Sequence, residues 1–238
     1  MAQQYEYNHN KEGKMGAQPV HVIVMYEVKD NKHTLDAFLK AAIPMIQATQ
    51  KEKGCVRFDL HQDLKNKYRF VLVEEWDCQQ NLTAHLHSAY VKEFKAAVSK
   101  QQMAAAEPGF FFCGAPLLSF DPVDEQDADD DGKHVFVVVT YDVNENRLDA
   151  FVEAAITLVA ETNKANGCQR FNFHQDKNDA CRFVSVEEWD CQQNQTVHFQ
   201  ADYVKAFMAE QKKQEMVVSP HLAFFCSYPL QQMKDAQK

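Results

Sequence analysis

A nine-residue string, VEEWDCQQN, runs from Val73 to Asn81 and recurs letter for letter from Val186 to Asn194. Trp76 and Trp189 thus stand 113 residues apart, and that spacing holds without a gap from His21/His134 to Leu117/Leu230. Gly54-Cys55 returns as Gly167-Cys168, His85 as His198, and Phe112-Cys113 as Phe225-Cys226. A period of this length is too long for a solenoid unit and suits a small domain. The chain is a tandem duplication, so a fold that suits one copy must suit both. Its 238 residues then divide into two domains of roughly 100 residues each. The expected boundaries are a disordered tail over 1–18, a first domain over 19–118, an acidic linker over 119–132, a second domain over 133–232 and a tail over 233–238.

Charge narrows the partners. The net charge is −9 and no basic stripe offsets it, which disfavours a phosphate backbone and so excludes nucleic acid as an expected partner. Within the linker, Asp127, Asp129, Asp131 and Gly132 imitate the start of a calcium loop. The twelfth position falls on Val138, where a bidentate Glu is required, so no metal is expected there. Six of the seven cysteines are repeat pairs (Cys55/Cys168, Cys78/Cys191, Cys113/Cys226) and Cys181 stands alone. Without Cys-x-x-Cys spacing or a secretory stretch, they read as reduced thiols in a cytoplasmic protein. The apolar runs are strand-sized, so no membrane span is expected.

Each copy reads strand, helix, strand, strand, helix, strand. Val20–Val28 and His134–Tyr141 are β-branched and apolar on both faces, which predicts a sheet covered on both sides. Thr34–Lys53 predicts a helix stopped by Gly54 and kinked at Pro44. Cys55–His61 alternates, with Val56, Phe58 and Leu60 on one face and Cys55, Arg57, Asp59 and His61 on the other. Tyr68–Trp76 follows through the polar turn Asp63–Lys67. A helix then begins at the capping-box-like pairs Asp77/Gln80 and Asp190/Gln193, and Phe110–Cys113 forms a last strand. This is the α+β ferredoxin-like order, βαββαβ, with helices on one face of an antiparallel sheet. The two sheets are expected to cover each other's free faces as an internal pseudo-dimer, an arrangement that can close into a barrel.

The Gly-Cys turn entering RFDLHQD (Arg57–Asp63), then VEEW, then AHLHSAYVKEF (Ala84–Phe94), resembles the antibiotic biosynthesis monooxygenase (ABM) domain of the dimeric α+β barrel superfamily. The resemblance covers nearly all of both copies, and Ser88 departs from it in becoming Ala201. It implies quinol monooxygenase, autoinducer-2-type isomerase or haem-degrading chemistry. The haem branch wants an Asn on the first strand, a Trp on the second helix and a His ten residues beyond. Met25, His85 and Lys95 stand there, as do Val138, His198 and Met208, so haem degradation is not expected. The branches that remain imply no cofactor: neither metal, flavin nor haem.

Chemistry without a prosthetic group needs a substrate that can be deprotonated in a dry pocket by a base near neutral pH. His85 and His198, on the apolar face of their helices, suit that role; the alternative is a core histidine bonded to a backbone carbonyl. Arg57 and Arg170 are placed to hold a substrate oxyanion, or else to form ion pairs across the pseudo-dimer. Asp59 becomes Asn172, so a carboxylate required there exists only in the first copy. Glu74/Trp76 and Glu187/Trp189 share one strand face and read as a pocket wall, with Trp as core filler and Glu as an inter-repeat partner the alternative. Phe58/Phe171 and Tyr90/Tyr203 read as cavity lining or as core. The expected function is a cofactor-independent monooxygenase of a small aromatic or quinol-like compound. An isomerase of small hydroxy-ketones, favoured by RFDLHQD, and a non-catalytic ligand-binding or interaction module are the alternatives.

Overall fold

The computed structural model describes residues 18–116, 134–219, 221–226 and 229–230. Residues 1–17 of the expected N-terminal tail, the acidic linker with its imitation calcium-loop aspartates, and the tail over 233–238 lie outside them. The first repeat comprises β1 (Val20–Glu27), α1 (Lys32–Thr49), β2 (Cys55–Gln62), β3 (Arg69–Trp76), α2 (Gln79–Leu86), α3 (Ala89–Lys100) and β4 (Gly109–Cys113). The second comprises β5 (Val135–Asp142), a 3-10 turn (Glu145–Arg147), α4 (Leu148–Thr162), β6 (Cys168–Gln175), β7 (Arg182–Trp189), α5 (Gln192–Phe199), α6 (Asp202–Lys213) and β8 (Leu222–Cys226). Both sheets are antiparallel, with strand orders β2-β3-β1-β4 and β6-β7-β5-β8. This is the ferredoxin-like layout, twice.

The two-faced apolar pattern of β1 has a direct outcome. Val20, Val22 and Val24 pack with Phe38, Ile46 and Phe94 in the core under the helices. Ile23 and Met25 face the other way, into a core shared with Phe136, Val138 and Phe224 of the second repeat. The sheets therefore pack face to face, and their edges meet. Leu64 N donates to Phe225 O at 2.7 Å, and Lys177 N donates to Phe112 O at 2.7 Å. Single bridges pair Asp63 with Cys226 and Cys113 with Asp176. These contacts make the two four-stranded sheets meet at both edges, through isolated bridges rather than continuous strand pairing, in the barrel-like arrangement expected of a fused dimer.

Four local expectations need correction. α1 starts at Lys32, because Asn31 caps it by accepting from Thr34 N at 2.8 Å, and it runs on through Pro44 to Thr49. The alternation of β2 is broken by a bulge between Cys55 and Arg57. Cys55 thereby joins Phe58 and Leu60 on the helix side, while Val56 is turned out to 62% exposure. Asp77 does not cap α2: Cys78 holds that position without a side-chain bond, and Asp77 Oδ1 accepts from Asn81 Nδ2 at 2.7 Å. That Asp–Asn pair lies over Gly54, whose φ is +79° and whose missing Cβ leaves the room Asn81 occupies. Finally, the single helix expected after β3 is two. α2 ends at Leu86, and Ser88 starts α3 by accepting from Val91 N at 3.4 Å. The second repeat breaks at the same place with Ala201 as cap, so the backbone keeps the break that its side chain cannot support.

Candidate functional site

The break between α2 and α3 positions the site. His85 lies in the last turn of α2 and Tyr90 in the first turn of α3, so both rings turn down onto the helix face of the sheet. There His85, 3% exposed, lies 4.8 Å from the Trp76 ring, 5.1 Å from Phe58 and 6.4 Å from Tyr90, measured between centroids. Glu74 and Trp76 share this face because they are two apart on β3, and Trp76 Nε1 donates to Glu74 Oε2 at 3.1 Å. The second repeat matches: His198 lies 4.6 Å from Trp189 and 6.0 Å from Phe171, and Trp189 Nε1 donates to Glu187 Oε2 at 3.1 Å. Glu74 and Glu187 are therefore not inter-repeat partners. Their neighbours Glu75 and Glu188 are.

Burial moves the proton affinities of this group past one another. It raises the Glu74 carboxyl to about 7, against the lowering effects of the Trp76 bond and the Lys95 charge. Burial also lowers the His85 imidazole to about 4, with Lys95 adding to the shift. The second repeat follows, with Glu187 at about 7 and His198 at about 4, both through burial. The group that titrates near neutrality is thus the carboxyl, and the imidazole is uncharged there. The residue type alone had suggested the reverse.

In the first repeat this group opens onto a hollow of about 40 Å³ lined by Glu74, His85, Phe58, Lys95, Phe110 and Phe112, among others. That volume holds two or three waters; a benzene ring occupies an engineered cavity of about 150 Å³. Phe110 is 40% exposed at the edge strand and stacks at 6.1 Å on Phe112, so the wall that must yield to a larger guest is the outermost one.

Arg57, Asp59 and Arg170 lie elsewhere, on the barrel side of the sheets. Arg57 binds Asp59 at 2.7 Å and also Glu188 across the seam, while Arg170 reaches Glu75 at 3.4 Å and Glu188 at 3.3 Å. Burial works against the Glu188 charge, but Arg57 and Arg170 hold its carboxyl below the usual range. This network lines a second hollow of about 430 Å³ between the repeats. The arginines expected to hold a substrate oxyanion are thus engaged across the pseudo-dimer and do not share the hollow of His85. His61 stacks on Phe136 at 3.9 Å, and the His174 ring lies 4.7 Å from His21 at a tilt of 43°, in this same inter-repeat layer.

Two residues near His85 were not foreseen from the sequence as site residues. Glu52 Oε2 lies 3.2 Å from His85 Nδ1, at an angle outside hydrogen-bond geometry. Lys95 lines the hollow, and its ammonium has no carboxylate within ion-pair distance among the described residues. A comparison of the repeats carries the signal, since Glu52 becomes Ala165 and Lys95 becomes Met208 against a conserved His, Glu and Trp. Among the described residues, no three His, Cys, Asp or Glu side chains converge as metal ligands, and no helix is long and apolar enough to cross a membrane.

The family model for "antibiotic biosynthesis monooxygenase" matches residues 19–97 and again 134–210. The chain belongs to the antibiotic biosynthesis monooxygenase family. Both ABM segments contain the strand–helix junction that presents the Glu, Trp and His. Among solved structures, a proposed monooxygenase from Fusobacterium nucleatum is 19% identical with a TM-score of 0.71, over 90% of this chain and 93% of that one. An anthrone oxidase-like protein is 12% identical with a TM-score of 0.66, over 89% and 91%. A proposed monooxygenase from Lactobacillus acidophilus is 13% identical with a TM-score of 0.63, over 88% and 93%. At these identities the likeness shows the fold, including its tandem form. Curated protein sequences give no match.

Proposed function

We propose that this ABM protein is a cofactor-independent monooxygenase that deprotonates a small phenol- or quinol-like substrate at the first-repeat hollow. One observation carries the reading: a carboxyl and an imidazole, both buried, line one hollow with their proton affinities driven past each other. Such pairs are how a protein separates acid and base roles. The neutral His85 imidazole takes the substrate hydroxyl proton. Glu74, once ionised, favours the imidazolium that results, and Trp76 holds the carboxylate in place. Phe58 and Phe112 supply flat walls, and the substrate anion gives up electrons to dioxygen as co-substrate. Family membership and the fold shared with proposed monooxygenases support the reaction class. The second repeat carries the same three side chains.

The limited volume of the hollow favours one further reading, isomerisation of a small hydroxy-ketone. A short ketol asks less widening of Phe110 and Phe112 than a ring does, and the same base would form the enediolate. Oxygen uptake with a panel of hydroquinones and hydroxynaphthalenes decides between them. Uptake that is lost in His85→Ala supports the oxygenase. Turnover of ketols under nitrogen assigns the isomerase instead. Ligand-induced stabilisation without turnover of either panel would leave a binding module, and the oxygenase reading would fail.

A further inference from the structure

The two histidines meet different atoms at the same ring nitrogen. In the first repeat the polar atom beside His85 Nδ1 is a carboxylate oxygen, Glu52 Oε2 at 3.2 Å. In the second, Ala165 stands where Glu52 does, and His198 Nδ1 instead meets the Tyr203 hydroxyl at 2.8 Å. The matching Tyr90 hydroxyl in the first repeat is buried without a hydrogen-bond partner. A carboxylate can only accept, so it favours a proton on Nδ1 and leaves Nε2 with its lone pair. A phenol is a far better donor than acceptor towards an imidazole nitrogen, so it favours the lone pair on Nδ1 and the proton on Nε2. The other side of the second ring agrees: Glu187 Oε2 lies 3.9 Å from His198 Nε2, where an N–H is attracted and a lone pair repelled. No such approach within 4.0 Å occurs between His85 Nε2 and a carboxylate among the described residues.

We propose that the two repeats hold their imidazoles in opposite tautomers, with Glu52 as the positioning residue that makes His85 a proton acceptor at Nε2, while Tyr203 makes His198 a hydrogen-bond donor there. The duplicated sites are then complementary. The first accepts a proton from a hydroxyl-bearing ligand, and the resulting imidazolium keeps its Nδ1–H beside the Glu52 carboxylate. The second offers an N–H and suits a ligand that presents a carbonyl oxygen. The chemical consequence rests on the reading of His85 as the base; the tautomers themselves do not.

Ring-nitrogen NMR of the ¹⁵N-histidine-labelled full chain at pH 7.5, with assignments from His85→Gln and His198→Gln, tests the proposal directly. The expected spectrum shows a pyrrole-type Nδ1 and pyridine-type Nε2 for His85 and the exchanged pattern for His198. Glu52→Ala should move His85 towards the Nε2–H form, Glu52→Asp should restore it, and Tyr203→Phe should release His198 from the Nε2–H form. The unchanged His198 signals in the Glu52 variants report that the fold is intact; if Glu52→Ala does not fold, Glu52→Gln is read in its place. The same tautomer in both rings, an even mixture in either, or a His85 signal indifferent to Glu52 overturns the proposal. If oxygen uptake is absent with every quinol while the opposite tautomers are seen, the oxygenase reading fails and the tautomer assignment stands.

Discussion

Replacing Glu74 by Gln should stabilise the protein in alkaline solution and leave it unchanged in acid. Glutamine keeps the shape and an oxygen to accept from Trp76 Nε1, but it has no charge to bury. The Glu74 carboxyl stands at about 7 in the fold, against 4.5 for the free side chain. A raised acid binds its proton more tightly folded than unfolded, so its ionisation opposes folding. Below pH 4.5 both states are protonated and no cost arises. Between 4.5 and about 7 the unfolded chain ionises first, and stability falls as pH rises. Above about 7 the loss is complete, at about 3 kcal/mol for a difference of this size. Glu74 is only 4% exposed, so solvent screening takes little from that figure.

The histidines conceal this in the unaltered protein. His85 and His198, lowered to about 4, contribute stability that is present above pH 6.5 and is lost as pH falls towards 4. These two carboxyls and two imidazoles therefore have opposed slopes that largely offset each other, while burial also lowers His174 to about 3 and lowers His21, so the wild-type profile should rise with pH across this window. Urea unfolding of the wild type and Glu74→Gln at half-unit steps from pH 4 to 8.5 makes the term visible. The difference should be near zero at pH 4, rise through pH 5 to 7, and level off at about 3 kcal/mol in favour of the variant. A difference that does not change with pH would show that burial does not raise this carboxyl, and the acid–base argument for the site would go with it.

Gly54→Ala should lower the melting temperature. It costs about 1–2 kcal/mol for a side chain at φ +79°, and its Cβ would stand 2.1 Å from Asn81 Nδ2. Adding Asn81→Ala should recover the collision but not the backbone cost, and a Gly54→Ala protein as stable as the parent would refute the reading. At the seam, a double-mutant cycle of Arg57→Met and Glu188→Gln should give a coupling of about 1–2 kcal/mol, because both side chains are largely buried. A coupling within error of zero would mean that the inter-repeat network does not hold the halves together.

Repetition and patterning made the architecture legible. VEEWDCQQN and its twin established two copies, and the apolar faces of Val20–Val28 required a cover on each side of a sheet. Strand parity paired Glu74 with Trp76, and helical spacing put His85 on the apolar face of its helix. Other features depended on distances between residues far apart in the chain. One bulge at Val56 altered which β2 side chains share a face, bringing Cys55 to the side of Phe58 and turning Val56 out to solvent. Ser88 marks the helix break that aims His85, but a lone serine inside a helical pattern does not announce a break. Sequence by itself determined the duplication, the element order and the residue types available for chemistry, since these follow from local spacing. Tertiary structure alone decided that Glu74 titrates near neutrality, that His85 does not, and that Glu52 and Tyr203 attend different histidines. Proton affinity and tautomer depend on which atoms exclude water around a group, and packing brings those atoms from every element of the fold.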